Sequence, residues 1–301
     1  MSSIAPQISV LLPVYNGEKT IARAIESILN QDFKDFELII LDDGSKDKTL
    51  DICKDYQKKD SRIILVHHEN KGLSATLNIG ISLARGELIA RQDSDDCSLP
   101  DRLEKQLNYM RANSKTVLLG TWAKIFVDDM DSGRRHNHPT KNKCLRLFLY
   151  FDNPFVHSSV IMRKDALRAA GGYVADIRHH PEDYDLWTRI ANFGEIENLP
   201  YYGIEYHEVP LSISRIQKNP FPLIYEISKR YFLNNTKSTP LLSHQWAKFI
   251  WNESKDFQIM LLIVCFLKII YREKIVTVWF LNKMFQLLKV QISQTLTRSI
   301  V

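Results

Sequence analysis

Apolar residues along the first 120 positions come in short unbroken runs, separated by stretches in which they recur at helical spacing. Ile8 to Val14 is the first run, and Asn16-Gly17 follows as a turn. Ile21, Ala24, Ile25 and Ile28 then repeat every three to four residues, the mark of a one-sided helix. Phe36 to Leu41, Ile63 to Val66 and Leu88 to Ala90 predict three more strands. Between and after them, Leu50, Cys53 and Tyr56, then Leu73, Leu77, Ile81 and Ala84, then Leu103, Leu107 and Met110 predict helices. Gly86 is expected to cap the third helix, and Pro100 to open the fourth near its first turn.

Strands apolar on both faces and separated by helices predict an α/β fold with a mainly parallel sheet covered on both sides. Ligands of such sheets bind outside the carboxyl ends of the strands. Three strands end in polar residues, at Tyr15-Asn16, Asp42-Asp43 and Asp93 to Asp96, so these ends are expected to share one crevice. Further on, Val117 to Ala123 and Val156 to Met162 predict strands. Asp165 to Ala170, stopped by Gly171-Gly172, and Tyr184 to Ala191, stopped by Gly194, predict short helices. From about Phe221 the pattern is helical, with a linker near Asn234 to Pro240.

The chain has 301 residues, 45% of them apolar and 25% charged, enough for one large domain and an appendage. Net charge is +5, and it is local: from Leu241 onward there are eight Lys/Arg against three Asp/Glu. A neutral body does not suggest a nucleic-acid-binding role. The tail holds nine unbroken apolar residues, Ile259 to Leu267, too few to span a bilayer. After it, Leu281, Phe285, Leu288 and Ile292 share one helical face. That tail fits either helices lying on an anionic membrane surface or apolar faces packed on the body or in a homodimer. No leader pattern opens the sequence, and Cys53, Cys97, Cys144 and Cys265 are too scattered for a zinc or redox pair. The expectation is a cytoplasmic protein with reduced thiols, peripheral to the inner membrane face if the tail binds lipid.

Asp93-Ser94-Asp95-Asp96 places three repelling carboxylates in four residues. A hard cation such as Mg²⁺ or Mn²⁺ would balance them and neutralise a diphosphate. An acidic turn capping the next helix is the alternative. Asp42-Asp43 could accept hydrogen bonds from a ribose or a base, or make an Asx-turn. Neither G-x-x-x-x-G-K-[ST] nor G-x-G-x-x-G follows the first strand, against P-loop and dinucleotide enzymes. The pairs His67-His68, His136/His138 and His179-His180 read as solvated loops, and His157 and His207 as candidates near an acceptor or metal.

Taken in order, several segments resemble family 2 glycosyltransferases of the bacterial surface-polysaccharide type, which adopt the GT-A fold. They are Ile8 to Gly17, Phe36 to Thr49, Asn70-Lys-Gly-Leu with Asn78, Ala84-Arg-Gly-Glu87, Asp93 to Asp96 and Leu99 to Gln106. His157-Ser-Ser, Gly171-Gly-Tyr and Glu182-Asp-Tyr-Asp-Leu-Trp187 continue the likeness, which covers about residues 6–215. It implies a GT-A catalytic domain over residues 1–218, with nucleotide-sugar binding in about 1–120 and acceptor binding in about 121–218. A helical extension would occupy 219–301.

The resemblance also implies roles. Pro13, Tyr15, Glu18, Asp43 and Asp93 would line the donor nucleotide. Asp95 would be the principal metal contact, with Asp93 and Asp96 assisting, and the metal would be Mn²⁺ or Mg²⁺. Asp183 would be the general base, a role that a carboxylate beside a sugar hydroxyl can fill. The expected reaction is inverting transfer of a hexose from a nucleoside-diphosphate sugar, a UDP-sugar, to a saccharide or lipid-linked saccharide hydroxyl. A nucleotidyltransferase would need a basic, glycine-rich triphosphate loop, which Val14 to Ile21 lacks. A catalytically inactive sugar-nucleotide-binding or scaffold protein would not need the acids at 43, 93, 95 and 183.

Overall fold

The computed structural model describes residues 5–149, 152–175 and 181–208, together with Ile227, Arg230, Tyr231 and Asn234. The chain divides into two compact units, Met1–Phe232 and Leu233–Val301. Of the expected linker only Asn234 is described; the apolar run and the amphipathic segment of the tail lie outside the described residues, as do His179-His180 and Cys265.

Strands β1 (Ile8–Val14), β2 (Phe36–Asp42), β3 (Ile63–His67) and β4 (Leu88–Arg91) alternate with helices α1 (Ile21–Leu29), α2 (Thr49–Lys59) and α3 (Leu73–Leu83). Next come β5 (Cys97–Ser98), α4 (Arg102–Ala112), β6 (Thr116–Val127), β7 (Met130–His136) and α5 (Asn142–Phe148). A 3₁₀ turn (His157–Ser159), β8 (Ile161–Arg163), α6 (Lys164–Ala169), α7 (Glu182–Ile190) and β9 (Glu195–Glu208) complete the set.

The nine strands form one sheet in the order β3-β2-β1-β4-β8-β6-β9-β5, with β7 paired to β6. β1 to β4 are mutually parallel, and β6 pairs parallel with β9. β8 runs antiparallel between β4 and β6, so β6 and β9 share the direction of the first four strands. The sheet is therefore mainly parallel, as the apolar runs predict.

Every residue of β1 and β2 is buried, because helices cover both faces. Val10, Leu12, Leu38 and Ile40 pack with Ile21, Ile25, Ile28 and Leu103 on one side. Leu11, Ile39 and Leu41 pack with Leu77, Ile81, Leu186 and Trp187 on the other. Ile227 and Tyr231 join this second layer, although they come from the region read as extension.

Local structure departs from the expected pattern at three places. Val156 to Met162 is not one strand: Val156 precedes a 3₁₀ turn and only Ile161 onward pairs. Ser158 and Ser159 leave the sheet there because their hydroxyls serve other partners, described below. Gly86 does not cap α3, which ends at Leu83 with Ala84 as its cap. A Cβ on Gly86 would lie 2.6 Å from the Ser9 backbone nitrogen, so the missing side chain is what lets the chain cross β1 closely. β7 and most of β9 were not legible as strands, since their polar residues hide the period. By contrast, Gly171 and Gly172 stop α6 as expected, both in the left-handed region at φ 84° and 65°.

Candidate active site

The carboxyl ends of β1 to β4 lie along one edge of the sheet, and the polar loops there are stitched together. Asn16, left-handed at φ 52°, turns the chain after β1. Its backbone N–H donates to Ser45 Oγ at 2.9 Å, and its Oδ1 accepts from the Lys46 N–H at 2.7 Å. Glu18 Oε2 accepts from the Lys48 N–H at 3.1 Å. Tyr15 stands 50% exposed above this loop pair, free to stack on a flat ligand. Pro13 is tolerated in a central strand for a geometric reason. Leu11 accepts from Gln92 on the β4 side, so Pro13 faces the same side one step beyond the last β1–β4 pair, Leu11 with Arg91.

Asp42 and Asp43 divide the work. Asp42 makes the turn, accepting from the Ser45 N–H at 3.3 Å, and its Oδ2 lies 2.6 Å from His67 Nδ1. Asp43 holds the loop after β3, with Oδ1 accepting from Lys71 N–H at 2.7 Å and Oδ2 from Gly72 N–H at 3.0 Å. His68 Nδ1 lies 3.5 Å from the same carboxylate. The two histidines therefore contact the aspartate pair rather than only solvent.

At the end of β4 the acids are unequal. Ser158 Oγ lies 2.5 Å from Asp93 Oδ2 and also contacts Asp96 Oδ2. A hydroxyl has one proton to donate, so one of these two carboxyls supplies its own. That one is Asp96: burial, then the charges of Asp93 and Asp95, push it well above the usual range. Its other oxygen accepts from the His207 N–H at 2.8 Å, which ties the acidic turn to β9. Burial also opposes ionisation of Asp93, but the charge of Arg91, with the hydrogen bond from Ser158, holds its carboxyl below the ordinary value. On Asp95, burial and then the neighbouring Asp93 charge outweigh Arg91 and Arg23 and raise the carboxyl to about 6. Asp93 and Asp95 thus lie close enough for the charge of one to raise the other, and their oxygens are of the kind a hard divalent cation takes.

The segment Leu99 to Gln106 braces this turn from beneath. Arg102, fully buried, donates from Nη2 to the carbonyls of Arg91 at 2.9 Å and Val160 at 3.2 Å. Gln106 Nε2 donates to the Ser159 carbonyl at 2.8 Å. These side chains satisfy backbone oxygens where β4 and the 3₁₀ turn leave the sheet.

The downstream motifs meet on the same side. Asn78 exchanges two hydrogen bonds with the Tyr173 backbone, at 2.7 and 2.9 Å, and the Tyr173 hydroxyl lies 2.9 Å from His157 Nε2. His157 Nδ1 lies 3.8 Å from Glu182 Oε1. Burial and nearby Arg91 keep this imidazole neutral, well below its ordinary value. Asp183, second residue of α7, accepts from Asn153 Nδ2 at 2.5 Å through Oδ2, and its Oδ1 accepts from the Tyr184 N–H at 2.7 Å. Burial raises Asp183 to about 6, and burial with the adjacent Asp183 raises Glu182 to about 8.

Arg91 stands among these acids, 1% exposed and paired with Asp93, and its charge also acts on Glu182 and Asp183. Sequence reading passed over Arg91, Asn153 and Ser158. An arginine closing an otherwise apolar strand just before three aspartates was the available signal for the first. Ser158 had none beyond its place in His157-Ser-Ser, and Asn153 had none.

Residues 9–171 match the family model described as Glycosyl transferase family 2. The chain is 47% identical to the putative glycosyltransferase EpsH of Bacillus subtilis, over 77% of this chain and 71% of that protein. It is 36% identical to the O-antigen biosynthesis glycosyltransferase WbnJ of Escherichia coli, over 64% of this chain and 73% of the relative. Among solved structures, residues 1–349 of S. aureus TarS in complex with UDP-GlcNAc superpose with a TM-score of 0.64 at 19% identity. That match covers 85% of this chain and 78% of TarS, and it carries the expected GT-A fold. Ordered motifs, sheet topology and the family match agree that the chain belongs to the family 2 glycosyltransferases.

Proposed function

We propose that this glycosyltransferase moves a hexose from a UDP-sugar to a hydroxyl of a growing surface glycan, with inversion at the anomeric carbon. One observation carries the reading: a desolvated Asp183, raised to about 6 and held by Asn153, lies in the electrostatic field of Asp93 and Arg91 at the carboxyl edge of the sheet. A carboxylate poised near neutrality is suited to take a proton during attack. WbnJ acts in O-antigen biosynthesis and TarS binds UDP-GlcNAc, which supports the acceptor and donor classes proposed.

In this reading, Tyr15 stacks on the base, and Pro13 and Glu18 border it. Asp43 either meets the base directly or shapes the pocket through the loop it holds at Lys71 and Gly72. Asp95 and Asp93 would hold a divalent cation, Mn²⁺ or Mg²⁺, whose charge would offset that of the departing diphosphate. Asp96, neutral and bonded to Ser158 and His207, fixes the turn that presents them. Asp183 removes the acceptor hydroxyl proton as that oxygen bonds to the anomeric carbon. The bond from the anomeric carbon to the phosphate oxygen breaks, and its electron pair leaves with the diphosphate.

Among the described residues no helix is long and apolar enough to cross a membrane. The basic tail is proposed to hold the enzyme against an anionic membrane surface, beside a lipid-linked acceptor. A panel of nucleotide sugars with Mn²⁺, read by nucleoside diphosphate release in the presence of saccharide acceptors, tests the proposed activity. No release from any UDP-sugar would reject the donor class.

A further inference from the structure

β6 and β9 run on past the end of the strand that carries the acidic turn. Ala90 of β4 pairs with Ile161, and Ile161 pairs with Leu119 of β6. Ala123 therefore lies ~13 Å further in the direction in which β4 ends, at ~3.3 Å per residue. There it pairs with His136 of β7 on one side and Ile204 of β9 on the other, and Ile125 pairs with Tyr206. Paired and alternate positions share a face, so His136, Ile204 and Tyr206 stand together and His207 faces the other way.

Aromatic rings make a wall on that face. The imidazoles of His136 and His138 lie 9° from parallel with centroids 5.6 Å apart, and Tyr206 meets His136 edge-on at 5.4 Å. All three residues are half-buried. Behind them the packing is closed. Phe148, 4% exposed, meets His138 edge-on, and Val156, 6% exposed, clusters with Ala123, Ile204 and Tyr206. Both supports lead to Asp183. Leu149, next to Phe148, accepts from the Tyr184 hydroxyl at 2.6 Å, and Tyr184 gives its N–H to Asp183. Asn153, in the segment that ends at Val156, donates to the other Asp183 oxygen.

We infer that His136, His138 and Tyr206 bind a pyranose ring of the acceptor glycan, which lays a face of C–H groups on the aromatic wall. This rests on the reading of Asp183 as the base and of the acceptor as a saccharide. A pyranose has an apolar C–H face and a rim of hydroxyls. Flat rings suit the first, and imidazole nitrogens and a phenol hydroxyl suit the second. Aromatic lining with a few polar atoms is the common make-up of small-ligand sites. The rings are backed by buried side chains yet stay half-exposed, so a sugar ring would replace the solvent they still meet. Held by the two segments that aim Asp183, the wall would set which acceptor ring reaches the base.

The test is saturation-transfer difference NMR on the full chain with UDP and Mg²⁺ present. The probes are the methyl pyranosides of glucose, galactose, mannose and N-acetylglucosamine, each titrated alone. Irradiating protein aromatic protons should saturate the ring C–H protons of at least one glycoside. His138→Ala and Tyr206→Ala should each weaken its binding ~3–10-fold, and His138→Phe, which keeps a flat ring, should restore it. Phe193 is 49% exposed just before β9 begins, at the opposite edge of the sheet, so Phe193→Ala should bind as wild type does. Circular dichroism checks that each variant folds. No saturation of any of the four glycosides, or equal affinity in wild type, His138→Ala and Tyr206→Ala, overturns the inference. If Tyr206→Ala does not fold, His138→Ala decides alone. UDP release from UDP-sugars by the same preparation scores the donor reading separately. Release without saturation rejects the wall alone, whereas saturation lost in the two alanine variants supports it even where no UDP-sugar is used.

Discussion

Asn153 grips Asp183 by the oxygen that α7 leaves over: Nδ2 lies 2.5 Å from Oδ2, while Oδ1 accepts from Tyr184 N–H. The carboxylate is thereby aimed by two donors, one from the helix backbone and one from a distant segment. Asp183→Asn should lower kcat by ~10²–10⁴ with donor KM little changed. Asn153→Ala removes a hydrogen bond that favours the charged carboxylate, so its acid limb should move to higher pH. Steady-state kinetics across pH reads both, and an unchanged limb in Asn153→Ala would deny Asn153 its positioning role.

A base must be deprotonated to work, so wild-type kcat should rise with pH through about 6, where Asp183 loses its proton. Glu182, at about 8, stays protonated over that range. Glu182→Gln should therefore keep the acid limb, and Asp183→Asn should abolish it. Loss of the limb in Glu182→Gln would make Glu182 the titrating group. The same raised values predict a stabilising contribution that fades over the range where activity rises. Folding holds these protons more tightly than the unfolded chain does, so this contribution is fully present below about pH 4 and is lost as pH rises through 6 to 8.

Asp95 and Asp96 are adjacent but should respond differently to the same change. Asp95→Asn should abolish transfer while leaving Tm intact, because an amide cannot balance a divalent ion, and EDTA should stop the wild type. Asp96→Asn keeps an acceptor for His207 N–H and a donor for Ser158, so stability should fall by no more than ~1 kcal/mol and substantial activity should remain. Full turnover in excess EDTA would reject metal dependence. A dead Asp96→Asn would show that its charge is needed.

Arg91 is the buried positive charge among the site's acids. Arg91→Met should destabilise the fold by about 3 kcal/mol, since Asp93 would lose its partner while staying only partly exposed. It should also shift the acid limb upward, because Arg91 favours the ionised form of Asp183. Urea unfolding and the pH profile measure the two effects separately.

Gly86→Ala would place a Cβ 2.6 Å from a β1 backbone nitrogen, where only main-chain movement can relieve it. A loss of ~1–3 kcal/mol is expected, read as a lower urea midpoint with an unchanged slope.

The alternation of apolar runs and helical stripes determined β1 to β4, α1 to α4 and the parallel sense of that half, because period and turn chemistry are local properties. It also placed the polar strand ends on one edge, since parallel neighbours must end together. The paired acids at 93 to 96 and at 182 to 183 were likewise legible as motifs. Which of those acids is neutral was not. That depends on Ser158, 62 residues from Asp96, offering one proton to two carboxyls. Nor could local pattern reveal that β9 runs beside both β6 and β5, bringing His207 to Cys97, or that the charge of Arg91 acts on Asp183. Such meetings are set by strand order across the sheet and by burial, which raise or lower a carboxyl only once the distant partners are in place.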